Sequence, residues 1–287
     1  MVKARGCRSI ELGGHTLALE WADKESALLI NLLCQHMPNS SLLAPDSIFR
    51  LHTNKSKTEL TVFFDNICIY RGCNRFLGLH IILNAMISQW ALLCTKGILL
   101  RAALVSRNGK GAIIIGKSGS GKTSLASSLI LSGWSYHGDQ LVFIANDELI
   151  CESLALPLFF NDDWKLPAYE GILSDINATE YNGKTILSVS DLLPDCVSDN
   201  KSVVPEFLVV SHFESGSSLA LTPLRAGLAA FHLINSILNK NNFSQSGLSK
   251  IGQIIKVLLS FELVFGDFEQ LSSLNLLFSE CDDLKSP

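Results

Sequence analysis

The sequence is short of charge, of basic runs and of paired cysteines, and each shortage removes a class of function. Only 17% of its 287 residues are charged and the formal net charge is −4. Such a chain has no broad basic field to follow a duplex backbone, so nucleic-acid binding is not expected. Eight cysteines stand at positions 7, 34, 68, 73, 94, 151, 196 and 281, with no C-x-x-C pair and no paired metal-ligand spacing. Cys68 and Cys73 could meet across a turn, but scattered buried thiols are the plainer reading, and the cytoplasm is the expected compartment. The opening MVKARGCRSIELGG is polar and lacks a long apolar core, so no signal peptide is expected. The most apolar stretch, Leu79 to Cys94, is broken by His80, Asn84, Ser88 and Gln89. It reads as a buried helix rather than a membrane span. Internal repeats, low-complexity runs and Pro- or Gly-rich linkers are missing too. With 47% hydrophobic residues the chain can still build a substantial core in one large or two modest domains.

What the sequence does have is GKSGSGKT, residues Gly116 to Thr123, which fits G-x-x-x-x-G-K-[ST]. At average residue usage the four fixed positions arise by chance in a chain of this length about one time in a hundred. Context sharpens the match. Gly111 to Ile115 is a short apolar run of the buried-strand type, Leu125 and Leu129 with Ala126 and Ile130 form a helical stripe, and Gly133 stands where a helix stop belongs. Strand, glycine loop and helix are the parts that phosphate binding needs. Gly116, Gly119 and Gly121 let backbone N–H groups close on a phosphate, with Ser118, Ser120 and Ser124 completing the loop and the first helical turn. Lys122 would neutralise the β- and γ-phosphates, and the Thr123 hydroxyl would ligate Mg²⁺. A guanine reader N-K-x-D is not found, since Asn239-Lys240-Asn241-Asn242 lacks the aspartate. The Lys-Thr pair after the last glycine suits a nucleoside triphosphate with its metal better than a dinucleotide.

The remaining pattern predicts an α/β protein with a mixed sheet. Residues 9 to 21 alternate as a strand pair around Gly13-Gly14, and Lys24 to His36 has amphipathic helical spacing. Ile48 to Leu51 and Glu59 to Tyr70 read as strands about a polar turn, and a helix over 79 to 94 closes a small α+β N-terminal region, residues 1–97. Residues 98–287 follow as a second region. Asn108-Gly109 lies between two apolar runs and predicts a hairpin, so the strand that feeds the glycine loop should have an antiparallel neighbour. Strand segments flank His137-Gly138-Asp139-Gln140, another run covers Leu149 to Leu156, and Glu206 to His212 forms a strand after Pro205. The stretch Asp162 to Lys184 reads as a loop near the site. Helices are expected over Pro223 to Asn239, with Leu224, Leu228, Phe231, Ile234, Ile237 and Leu238 on one face, and over Ile251 to Leu259. Trp134 and Phe159-Phe160 are core candidates. His137 reads as a hydrogen-bonded turn residue, and Asp162-Asp163, Lys165 and Arg225 as polar surface groups within range of a substrate.

The run from Leu100 through Ile144 resembles the catalytic core of HPr kinase/phosphorylase, and more so the HPr-kinase-related proteins of bacterial peptide-modification pathways. The matching residues are Arg101-Ala102-Ala103, Asn108-Gly109, Gly116 to Thr123, Gly133-Trp134 and Gly138-Asp139-Gln140. Leu221-Thr222-Pro223-Leu224 and Phe261 to Asp267 are similar outside the core. This resemblance implies a mixed-sheet P-loop kinase domain over 98–287 that uses ATP and Mg²⁺ to phosphorylate a serine of a protein or ribosomally made precursor peptide. It admits a homo-oligomer, and the N-terminal region becomes a candidate for holding the peptide. Asp139 matches the first family aspartate and would serve as Mg²⁺ partner or as acceptor of the serine proton, so the implied catalytic set is Asp139, Lys122 and Arg101, with Thr123 and Asp139 on the metal. Two positions depart from the family: its histidine is Arg101 here, and its second acid is Gln140. An arginine cannot act as a base near neutral pH but can hold a phosphate or an anionic substrate. The departures admit a second reading, a nucleotide-gated pseudokinase that binds a peptide or partner without transferring phosphate.

Overall fold

Alternating apolar and polar residues make the first hairpin. β1 (Gly6–Leu12) and β2 (His15–Trp21) pair antiparallel across Gly13-Gly14, both in the left-handed region. The computed structural model describes residues 6–37, 39, 40, 44–146, 148–161, 179–181, 184–193, 195–200, 202–242 and 246–273. After β2 the chain crosses over through α1 (Lys24–Cys34) to β3 (Ser47–Thr53), which lies parallel to β2. The N-cap Asp23 accepts from the Ser26 amide at 2.9 Å and from the Thr53 amide at 2.8 Å, so one carboxylate ties the helix start to the strand end. β4 (Leu60–Phe64) and β5 (Ile67–Gly72) complete a five-stranded sheet in sequence order. Glu59 to Tyr70 is therefore two strands. Asp65 and Asn66 take φ values of 46° and 87°, the left-handed pair of a tight hairpin turn, a conformation that short polar residues tolerate.

The helix expected at 79 begins earlier, as α2 (Arg75–Leu93), because the Asn74 side chain accepts from the Leu77 amide and caps it. By length and composition α2 could cross a membrane; here Phe76, Leu79, Ile82, Leu83, Met86 and Trp90 are buried in the cluster that α1 and the first sheet share. That cluster continues beyond the first sheet through Leu99, Leu141, Phe143, Leu154, Leu156 and Ile186.

From residue 97 onward a nine-stranded mixed sheet forms, and the whole is an α/β fold with mixed sheets. Its strands are β6 (Gly97–Leu100), β7 (Ala103–Arg107), β8 (Lys110–Ile115), β9 (Ser135–Gly138), β10 (Val142–Ala145), β11 (Cys151–Ser153) and, farther along, β15 (Ser202–Phe213), β16 (Ala220–Pro223) and β17 (Leu259–Phe265). A separate three-stranded sheet holds β12 (Leu158–Asn161), β13 (Thr179–Tyr181) and β14 (Lys184–Leu187). The expected hairpin is present: β7 and β8 pair antiparallel through Asn108 and Gly109, at φ 52° and 79°. On its other side β8 pairs parallel with β15, and β15 parallel with β17. β15 starts before Pro205 and accommodates it at a register shift between Pro205 and Phe207. The Leu149–Leu156 run shortens to β11.

Among the described residues four α-helices serve this second region: α3 (Lys122–Leu131), the single turn α4 (Val189–Leu192), α5 (Ala226–Ser236) and α6 (Ser246–Val257). α5 buries Ala229 and Leu233; of the expected stripe Ile237 is buried and Leu224 and Ile234 pack partly buried against the same cluster, while Leu228 and Phe231 are exposed. Trp134 and Phe160 are core residues, while Phe159 packs partly buried against the other cluster. All seven cysteines among the described residues are free. Burial pushes the Cys34 thiol up to about 12 and the Cys94 and Cys196 thiols to about 11.

The asparagines that failed as a guanine reader have a structural task. Buried Asn239 accepts from the Leu99 amide at 2.9 Å and donates to the Cys94 and Gly97 carbonyls at 3.0 and 2.9 Å, stitching the end of α2 to the start of β6. Asn239→Ala takes its partner from the Leu99 amide and the Gly97 carbonyl, while the Cys94 carbonyl keeps its bond from Asn242 Nδ2 at 2.9 Å; we expect it to cost about 2 kcal/mol, read as the shift of a urea-unfolding midpoint at constant m-value.

Candidate functional site

β8 ends at Ile115 and delivers the chain into the glycine loop, which closes onto α3. Gly116, Gly119 and Gly121 sit at φ 152°, 79° and 82°. Gly121 is doubly constrained: it is the left-handed N-cap of α3, and a Cβ there would come within 2.4 Å of the Phe265 ring. Having no side chain, it supplies no side-chain cap to the first turn of α3. The helix dipole and the amides of that turn together make an anion-binding end. The far end of α3 closes as the Gly133 signal requires. Trp134 N–H donates to Leu129 O at 3.0 Å and Gly133 N–H to Ile130 O at 2.9 Å, with Gly133 at φ 89°.

The loop is held from outside. Ser211, on β15, donates its hydroxyl to the Ser120 carbonyl at 2.7 Å. Ser118 and Gly119 are exposed at the crest, and Ser124 is buried behind. Ser120 is buried, and its Oγ has no hydrogen-bond partner among the described residues. The Lys122 ammonium folds back across the loop and donates to the Gly116 and Lys117 carbonyls, each at 2.8 Å.

The structure brings Thr123 and Asp139 into direct contact. Thr123 Oγ1 donates to Asp139 Oδ2 at 2.6 Å, and the Gln140 backbone amide donates to Oδ1 at 2.8 Å. Gln140 reaches this through a left-handed φ of 78°, with its side-chain amide 3.4 Å from Oδ2. Asp139 is only 1% exposed. Burial pushes its carboxyl above the usual range, although the donors Thr123 and Gln140 and the nearby Lys122 charge oppose the shift. Burial also pulls the Lys122 ammonium below its ordinary value; Asp139 opposes this and the Arg101 charge reinforces it. Arg101 itself is exposed, just past β6, and its backbone amide donates to Ser236 O at 2.8 Å. Thr123 and Asp139 thus meet at the start of α3, with the Lys122 charge acting on Asp139 and the Arg101 charge acting on Lys122.

Other expected residues fall elsewhere. Arg225 is exposed as the residue before α5. Asp162-Asp163 and Lys165 lie outside the described residues. His137 belongs to β9, not to a turn, and shares a 2.8 Å hydrogen bond with the Ser106 hydroxyl. Sequence reasoning missed Ser106 and Ser211, single serines in apolar strands with no local motif around them. Behind β9 lies a cavity of about 380 Å³, walled by Gln35 to Met37, His137 and Val197 to Asn200.

No family model and no curated protein matches the chain. Among 48 similar solved chains, the HPr(Ser) kinase/phosphatase from Coxiella burnetii aligns with 65% of this chain and 97% of that chain, at 13% identity and a TM-score of 0.35. A likeness at that level carries no argument, and the site stands on its own geometry.

Gly121→Ala would force a left-handed alanine against Phe265. We expect it to destabilise the fold by about 2 kcal/mol or more and to abolish any anion binding at the loop, checked by thermal unfolding and by titration with pyrophosphate.

Proposed function

We propose that the chain is a serine kinase that uses ATP and Mg²⁺ to phosphorylate a protein or a ribosomally made peptide in the cytoplasm. The observation that carries this reading is the 2.6 Å contact between Thr123 and Asp139 at the uncapped start of α3. A hydroxyl and a carboxylate on one side of an anion-binding helix end are the oxygen ligands that a triphosphate with its metal requires. The residues fit that group. The loop amides would take the phosphates, and Lys122 would exchange its bonds to the Gly116 and Lys117 carbonyls for phosphate oxygens. Thr123 and Asp139 would hold Mg²⁺, which when bound supplies neutralisation of charge on the phosphates. Alternatively Asp139, which reaches the mouth of the loop from the end of β9, would accept the serine proton in place of holding the metal. Arg101 extends the positive field toward the exposed side of Lys122, where a third cationic contact favours the transferring group or an anionic acceptor.

One observation favours the pseudokinase as a second reading. Gln140 places a neutral amide 3.4 Å from Asp139 where the resembling family has an acid, which leaves Asp139 as the carboxylate beside the loop among the described residues. Both readings require nucleotide binding and they part at turnover.

The deciding experiment is mass spectrometry of candidate precursor peptides incubated with Mg-ATP. The kinase predicts a gain of one phosphoryl group on serine, lost without Mg²⁺ and reduced about 100-fold or more by Asp139→Asn or Lys122→Ala. Nucleotide binding with no mass shift on any acceptor would sink it in favour of the pseudokinase. Asp139→Asn should make the melting temperature less dependent on pH. Because the folded carboxyl titrates above its unfolded value, its contribution to stability is complete below the ordinary carboxylate range and is lost as pH rises through the folded value. The asparagine does not titrate, so the variant's stability should fall less as pH rises above the ordinary carboxylate range, whatever it loses by offering one acceptor oxygen where Thr123 and the Gln140 amide each use their own.

A further inference from the structure

We infer that Ser106 and His137 are positioning residues that aim Asp139 at the start of α3, an inference that rests on the proposed kinase reading for its consequence in turnover. Side chains on a strand alternate between faces, so residues an odd number apart point to opposite sides. Tyr136 packs in the cluster that contains Leu125, Ala126 and Leu129 of α3. Asp139 follows three positions later, and in an unbroken strand it would turn away from α3. It nevertheless bonds to Thr123 on α3.

The pairing of β9 with β7 shows how. Val105 pairs with Tyr136 and Leu104 with Gly138, so one step along β7 matches two along β9 and His137 is the extra residue. The far side of the bulge agrees: Ala103 and Val105 belong to the α3-side cluster, whereas Leu104 lies in the cluster on the other face. Continuing the register past Gly138 puts Asp139 level with Ala103, on the α3 side. The inserted residue restores the parity that carries the carboxylate to Thr123.

Three contacts hold the bulge. The Ser106 hydroxyl and His137 Nε2 bond at 2.8 Å, with both residues at least nine-tenths buried (7% and 5% exposed). Gly138 presses so closely on the next layer that a Cβ would lie 2.0 Å from Ser153 Oγ and 2.3 Å from Leu154 O. On the outer edge Tyr136 N–H donates to Cys196 O and Ser198 N–H to Tyr136 O, at 2.7 and 2.8 Å. Only the first contact fixes the bulged residue's own side chain. His137 Nδ1 has no partner at hydrogen-bonding geometry among the described residues, although the Asn200 backbone lies to that side. Removing the Ser106 hydroxyl would therefore take away the side-chain bond that holds the ring of the bulged residue, which on its other side lines the cavity with Asn200. Without that bond the bulge can move along β9, and a slip of one residue sends Asp139 to the wrong face.

The test compares Ser106→Ala, Ser106→Thr and His137→Ala with wild type in phosphoryl transfer, with rates normalised to nucleotide-binding sites. We expect Ser106→Ala and His137→Ala to lower kcat about tenfold or more with KM for ATP changed less than about twofold, and Ser106→Thr, which keeps the hydroxyl, to recover most of kcat. A purely structural role would lower the melting temperature and leave kcat per binding site alone. An unchanged kcat in an active Ser106→Ala protein overturns the inference while sparing the kinase reading. Should wild type prove inactive, crystal structures of the same variants decide instead. Loss of the Thr123 to Asp139 hydrogen bond in Ser106→Ala supports the inference, and its retention overturns it. If Ser106→Ala does not fold, Ser106→Cys and His137→Ala carry the same comparison.

Discussion

A carboxylate buried at the mouth of a helix is the constraint on which this structure turns. Asp139 is almost wholly removed from water, and an ionised group in that position persists only where donors surround it. Here the donors are the Thr123 hydroxyl and the Gln140 amide, with the Lys122 charge nearby. They come from two elements, so the bond to Thr123 also fastens the end of β9 to the first turn of α3. The net upward push on the carboxyl shows that the donors do not fully offset burial. A site arranged only for stability would place an asparagine or a hydrophobic residue there.

The sheet order explains how the glycine loop keeps its shape beside that carboxylate. β8 lies between an antiparallel hairpin partner, β7, and a parallel neighbour, β15. The hairpin brings β7 with Ser106 and, through β7, β9 with Asp139. The parallel side brings Ser211 to the Ser120 carbonyl and, one strand farther, Phe265 to the face of Gly121. Phe213 and Phe268 stack on one another and meet Phe265 edge-on, so the ring that limits Gly121 is itself immobilised. A loop rich in glycine would otherwise pay a large ordering entropy on closing around an anion. Fixing it from both strands beforehand removes much of that cost.

Where structure depends on near neighbours, the chain could be read directly. Asn108-Gly109, the stripe of α3 with Gly133 after it, and the alternation of β1 and β2 each state their conformation within a few residues, and each is found where the pattern points. The glycine loop is legible for the same reason, since its residues constrain one another. What escaped depends on partners distant in sequence or on packing. Ser211 reaches Ser120 across 91 positions, and nothing around it distinguishes it from an ordinary strand serine. The bulge at His137 exists only in the register with β7, so alternation alone would have aimed Asp139 at the wrong face. The apolar stripe of α5 carries a third lesson: Leu228 and Phe231 have helical spacing, yet the helix is rolled so that Ala229 and Leu233 meet the sheet. Small residues let a helix approach a sheet closely, and closeness outweighed size in choosing the face.

The two departures from the resembling family make electrostatic sense together. A second acid at position 140 would stand beside a carboxylate already resisting ionisation, and like charges in a buried site push such a group further toward its neutral form. Gln140 avoids that repulsion while its backbone, turned left-handed, still donates to Asp139. Arg101 adds a permanent positive charge that is felt at Lys122. Among the described residues Lys122 and Arg101 thus set two cations beside the one carboxylate of Asp139, a balance that favours an anion at the start of α3.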